Sequence, residues 1–173
     1  MKYCMDTSSF LEGSEGRSYE MEYFTPLWAN LDGRVMDGTV VSPYLVLKEL
    51  EKKEDDVYNW AKERKDILFK QPSKGITEVI GRIRDTFPEF VDEKKPYWAD
   101  ADVIALAKVK RLTVVTQEEW NDTKNPNKFK IPHICEYFGV KYIKMIDLIK
   151  REQLTSNIGV LSKKGPHGNT EIE

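Results

Sequence analysis

Apolar residues in this chain fall into very short runs, each followed by a stretch with helical spacing. Lys2 to Met5, Val40-Val41, Leu112 to Thr116 and Tyr142-Ile143 are too short for helices and read as strands. A helix between successive strands carries the chain back to the edge where it started. The strands then pair in parallel and both faces of the sheet are covered. The expected fold class is α/β, a three-layer α/β/α arrangement with a central parallel sheet. In such sheets a ligand site lies outside the C-terminal ends of the strands.

The helices follow from periodicity and punctuation. Thr25-Pro26 is a helix start, with Thr25 as cap and Leu27, Trp28 and Leu31 as the buried face. Ser42-Pro43 opens the next helix by the same device, with Leu45, Leu47 and Leu50 apolar. Further helices are expected over 55–70 and 76–87, the second stopped by Pro88. The segment 98–110 has the strongest helical pattern, and short helices follow at 134–138, closed by Gly139, and at 146–150. Residues 12–22 and 117–130 read as loops, the second turning at Asn125-Pro126-Asn127. From about Thr155 the apolar period is lost, so one domain over 1–154 and a flexible polar tail over 155–173 are expected.

Composition narrows the function classes. With 173 residues, 40% hydrophobic and 32% charged, the chain suits a single charged globular domain. No apolar run has the length of a membrane span. The N-terminus, MKYCMDTSSFLEG, lacks the pattern of a signal peptide, so a cytoplasmic location is expected. Cys4 and Cys135 both sit in apolar surroundings and read as small buried residues. A net charge of −2 neither demands nor excludes nucleic acid. Basic residues between Lys62 and Arg84 and at Lys108, Lys110 and Arg111 are interspersed with acids and read mainly as a solvated face.

Several acids lie beside core positions. Asp6 ends the first strand, Glu49 lies on the helix after the second, Asp100 and Asp102 open the 98–110 helix, and Glu118 and Glu119 follow LTVVT. Taken singly, each suits a cap, a solvated face or a helix dipole. Together at the ends of adjacent elements, they would repel one another unless a cation offset their charge. Hard oxygen ligands suit Mg²⁺ or Mn²⁺. His133, between Pro132 and Ile134, reads as structural, and His167 falls in the tail.

MDTSSFL, VVSPYLVLKELEK, ADADVIALA and LTVVTQEE, in this order, resemble the PIN domain, a family of metal-dependent ribonucleases. Many PIN domains are VapC-like toxins of type II toxin–antitoxin pairs. The closing segment KIPHICEYFGVKYIKMIDLI is similar to an uncharacterised bacterial PIN-like group. The resemblance runs from Met1 to about Lys150. It implies that Asp6, Glu49, Asp100 and Glu118 are the metal-binding and catalytic acids, Glu118 standing where the family usually has Asp. It implies supporting roles for Thr7, Ser9 and Thr116. Asp102 is the alternative to Asp100, but it is turned about 200° from it on the helix, so the two cannot face one cation equally. The resemblance further implies a Mg²⁺ or Mn²⁺ cofactor and RNA cleavage that leaves a 5′-phosphate and a 3′-hydroxyl. A cognate antitoxin and a homodimer are the implied protein partners.

Three other readings compete. Asp100-Ala101-Asp102 matches the D-x-D of haloacid-dehalogenase phosphatases, but Glu93-Lys94-Lys95-Pro96 stands where that motif needs a hydrophobic strand. A structure-specific DNA nuclease uses a similar acid cluster but more helical DNA-binding elements. A catalytically inactive PIN-like module that binds a protein would be expected to have lost acids, and all four positions are acidic.

Overall fold

The computed structural model describes residues 1–91 and 98–155. Apart from Thr155, the tail expected over 155–173, with His167, lies outside the described residues, as does the Glu93–Pro96 segment. Five short strands form one sheet: β1 (Tyr3–Met5), β2 (Val40–Pro43), β3 (Phe69–Lys70), β4 (Thr113–Val115) and β5 (Tyr142–Ile143). Their order is β3-β2-β1-β4-β5 and every pairing is parallel. Tyr3 stands opposite Val40 on one side and Thr113 on the other, so β1 is central.

The helices are α1 (Thr7–Phe10), α2 (Thr25–Met36), α3 (Tyr44–Glu51), α4 (Asp56–Glu63), α5 (Lys65–Leu68), α6 (Lys74–Thr86), α7 (Asp100–Lys110), α8 (Ile131–Phe138) and α9 (Met145–Glu152). The chain builds outward from β1 through β2 to β3, then returns to add β4 and β5 on the opposite side. With right-handed crossovers, that reversal places the two sets of connecting helices on opposite faces, giving three α/β/α layers. It also makes the β1–β4 junction the switch point, where a crevice opens beyond the strand ends.

α7 is the core helix. Ala101 and Val103 through Ala107 are all buried, because one side lies on β1, β2 and β4 while α6 and α8 pack against the others. A helix apolar all round is stable only when enclosed in this way. It ends at Arg111, which takes the left-handed conformation (φ 56°) so that the Leu112 amide can donate to the Ala107 carbonyl at 2.8 Å. Both cysteines are buried and form no disulfide. The core continues to Leu154, which is buried and whose carbonyl accepts from Asn30. No helix among the described residues is long and apolar enough to cross a membrane.

Three local expectations need correction. The helix expected over 55–70 breaks at Arg64 (φ −104°, ψ 11°), whose guanidinium bonds the Trp60 carbonyl and Asp32. The chain then turns into β3, which pairs Phe69 with Ser42 and buries the Phe69 ring near Phe10. Ser42 and Pro43 are not the cap and first turn of a helix: α3 begins at Tyr44, with Pro43 as its N-cap. They complete β2, and the Ser42 hydroxyl donates to the Met5 carbonyl at 2.7 Å. Thr25 is the first residue of α2 and not its cap; its hydroxyl donates back to the Met21 and Glu22 carbonyls. Asp6 is itself the N-cap of α1.

Candidate functional site

β1 ends at Met5, and the next residue is held across the switch point. The Asp6 amide donates to the Val115 carbonyl of β4 at 2.9 Å. Its carboxylate is buried at 3% exposure and accepts from the Ser8 amide (3.3 Å), the Ser8 hydroxyl (2.6 Å) and the Thr116 hydroxyl (3.0 Å). Burial raises the Asp6 carboxyl above its ordinary range, and the Ser8 and Thr116 hydrogen bonds partly offset that rise. Ser8 also accepts from the Gln117 amide at 2.9 Å, so one hydroxyl clamps the segment after β1 to the segment after β4.

Glu49 lies one layer away. It is buried on α3, accepts from the Thr7 hydroxyl, and accepts the Ala99 amide at 2.9 Å. It therefore fastens α3 to both α1 and the start of α7. Burial raises its pKa, and the negative charge of Asp6 adds to the rise. Asp102, one position into the α7 interior from Ala101, is half-buried and pushed up to about 6, first by burial and then by Glu49. Glu118 accepts the Ile131 amide at 2.7 Å, at the beginning of α8, and is raised by burial with Asp6 contributing.

A pocket of about 240 Å³ opens here, lined by Asp6, Thr7, Ser8, Leu11, Glu12, Arg17, Asp100, Gln117 and Glu118. It brings together Asp6, Asp100 and Glu118 of the expected acids. Glu49 stands behind it, joined to it through Thr7. Asp102 is not among its lining residues, in line with its rotation from Asp100 on the helix. Thr116 holds Asp6 and accepts the Glu118 amide at 3.2 Å. Ser9 is fully buried, and its hydroxyl has no hydrogen-bond partner among the described residues. None of the basic residues singled out from the sequence lines the pocket.

The family whose model matches the chain, over residues 3–156, is described as a domain of unknown function (DUF4411). The chain belongs to this family. The DUF4411 match takes in all five strands and every residue of the pocket. No curated protein and no solved structure matches the chain.

Sequence reasoning missed Ser8, Glu12, Arg17 and Gln117 in this DUF4411 pocket. Ser8 had a signal, since it stands two residues beyond an Asp at a strand end and can bond that carboxylate as a local turn. Glu12 and Arg17 lie in a polar stretch without periodicity, and nothing local marks them. His133 lies outside the pocket and orders the loop that follows Glu118. Its ring stacks between Trp120 and Phe129, its Nδ1 accepts the Lys130 amide (3.0 Å), and its Nε2 donates to the Asn121 carbonyl (2.9 Å). That arrangement uses the neutral imidazole and pins the loop that presents Glu118.

The donor chemistry fits a hard dication: carboxylates face one pocket, buried enough to repel one another. The residues do not form a ready-made shell, however. Among the described residues no group of three or more His, Cys, Asp or Glu side chains is arranged to hold a metal ion. Asp6, Glu49 and Glu118 are each oriented by hydroxyl or amide donors of the chain itself. Mg²⁺ tolerates such a setting, since it keeps several waters and uses only one or two carboxylates plus substrate oxygens.

Proposed function

We propose that this protein is a metal-dependent endoribonuclease of the PIN type, acting as the toxin of a type II toxin–antitoxin pair. The observation that supports this reading is the meeting of Asp6, Asp100 and Glu118, from three distant segments, on one pocket at the switch point of a parallel sheet. When bound, Mg²⁺ or Mn²⁺ would lower the pKa of a water and offset the charge that builds on the phosphate. Asp6, Asp100 and Glu118 would hold it, with Glu49 behind them.

The chain's own residues supply the order around that chemistry. Ser8 and Thr116 fix the Asp6 carboxylate in one orientation, so little reorganisation is needed as charge shifts. Glu49 ties α3 to the start of α7 and so sets where Asp100 stands. Leu11 adds an apolar side chain to the pocket lining. Arg17 adds a cation to the pocket lining, suited to a non-bridging phosphate oxygen. The antitoxin and a homodimer belong to this proposal as partners.

The test is cleavage of single-stranded RNA with Mg²⁺ or Mn²⁺ by the wild type and by the Asp6→Asn, Asp100→Asn double variant. Metal-dependent cleavage by the wild type alone is expected, with 5′-phosphate products. Equal activity in both proteins would rule out the assignment of the acids. Preferential cutting of flap or junction DNA would favour a structure-specific DNA nuclease. No cleavage of either nucleic acid would favour a protein-binding module.

A further inference from the structure

Glu12 is the anomaly of the pocket. It sits in the 3-10 turn Leu11–Gly13, is 9% exposed, and lines the pocket beside Asp6, Asp100 and Glu118. Its Oε2 is buried and has no hydrogen-bond partner among the described residues. The other buried acids of the site, Asp6 and Glu49, are both supplied with donors by the fold. A buried carboxylate oxygen without a donor is costly, and in native proteins such an atom points to an ion, a water or a catalytic role.

The turn cannot easily withdraw this side chain to solvent. The Glu12 carbonyl accepts the Tyr19 amide and the Gly13 carbonyl accepts the Met21 amide, both at 2.9 Å. The Trp28 ring packs against Gly13, and its Nε1 donates to the Tyr19 carbonyl at 2.7 Å. The loop after Glu12 is therefore bolted to α2, and the backbone that presents the carboxylate to the pocket is fixed.

We infer that Glu12 is an additional ligand for a divalent cation in this pocket, on the wall formed by the 3-10 turn, apart from the four acids that the motifs suggest. The inference shares its cation with the nuclease reading and to that extent rests on it. Mg²⁺ and Mn²⁺ need only one or two carboxylates with water completing the shell, so Glu12 facing one neighbouring acid is sufficient. The competing occupant is the Arg17 guanidinium, which lines the same pocket.

The experiment measures Mn²⁺ binding to the full chain by the electron paramagnetic resonance of free Mn²⁺, and the rise in Tm on adding Mn²⁺. The proteins are the wild type, Glu12→Gln, Glu12→Met and Arg17→Ala. The Met variant removes the carboxylate while keeping its bulk, so that a folding defect in the Gln variant does not decide the outcome. Both Glu12 variants are expected to bind Mn²⁺ about 10-fold or more weakly, and their Mn²⁺-induced rise in Tm should shrink. Arg17→Ala is expected to bind Mn²⁺ at least as well as the wild type. Wild-type affinity in both Glu12 variants would overturn the inference, as would absence of Mn²⁺ binding by the wild type. If RNA is cut while the Glu12 variants bind Mn²⁺ normally, Glu12 loses its role and the nuclease reading stands. If Mn²⁺ binding depends on Glu12 but no RNA is cut, Glu12 keeps its role and the nuclease reading falls.

Discussion

The Thr116 hydroxyl donates to Asp6 Oδ2 at 3.0 Å, joining residues 110 positions apart in the chain. The same oxygen atom accepts the Glu118 amide, so a single hydroxyl sets both the orientation of one pocket acid and the path of the loop bearing another. Thr116→Val keeps the shape of the side chain and removes both interactions. Because Asp6 is buried, the loss should cost about 1–3 kcal/mol of stability. Thr116→Ser should restore most of it. Urea unfolding checks this, and an unchanged midpoint in Thr116→Val would show that the hydrogen bond contributes nothing.

Asp100 and Asp102 should separate cleanly. Asp100 lines the pocket and Asp102 does not, so Asp100→Asn is expected to lower metal-dependent cleavage by about 100-fold or more. Asp102→Asn should stay within about 10-fold of the wild type, as expected for a neighbour that acts only through Glu49. Initial rates at saturating Mn²⁺ decide the matter. The reverse ranking would move the third acid of the site to Asp102.

In metal-free protein the buried acids in and around the pocket should make stability fall as pH rises. Asp102 is raised from 3.8 to about 6, and Asp6, Glu49 and Glu118 are raised as well, in each case first by burial. A raised carboxyl binds more protons folded than unfolded, so unfolding becomes easier as pH climbs between the two values. For Asp102 that window runs from 3.8 to about 6, above which its effect is constant. Asp102→Asn should therefore match the wild type near about pH 4 and exceed it at neutral pH. Urea melts in chelator across this range test the sign, and stability rising through the window would contradict it.

Gly13 is required by the approach of Trp28. A Cβ on Gly13 would overlap the Trp28 ring, and that ring is itself held by its bond to the Tyr19 carbonyl. Gly13→Ala should cost about 1–3 kcal/mol, the usual range for overpacking a filled site. It should also disturb the turn that presents Glu12, weakening Mn²⁺ binding beyond what the stability loss explains. Thermal melts with and without Mn²⁺ check both effects.

Much of the architecture was legible because it depends on local period. The runs at Tyr3–Met5, Thr113–Val115 and Tyr142–Ile143 are short and apolar between helical segments, which leaves parallel pairing as the workable solution. β3 was not legible. Phe69 and Lys70 continue a helical pattern, but the helix breaks at Arg64, resumes for one turn in α5 and ends at Phe69, where the backbone extends and pairs with β2. Ser42 and Pro43 were misread for a related reason. Their composition suits a helix start, but the Met5 carbonyl was available to hold Ser42 in the sheet.

The sequence by itself determined four of the five strands, their parallel sense and the placing of Asp6, Asp100 and Glu118 at element ends, because local spacing carries that information. Only the tertiary structure decided which acids share a pocket and which do not. Asp100 and Asp102 differ by helical rotation, but the direction of the pocket depends on how α7 lies on β1, β2 and β4. Glu12 and Ser8 enter the site because the chain turns tightly after Asp6 and is held there by Trp28 and Gln117. Contacts across such separations leave no periodic trace in the chain, so packing alone shows which of these residues line one pocket.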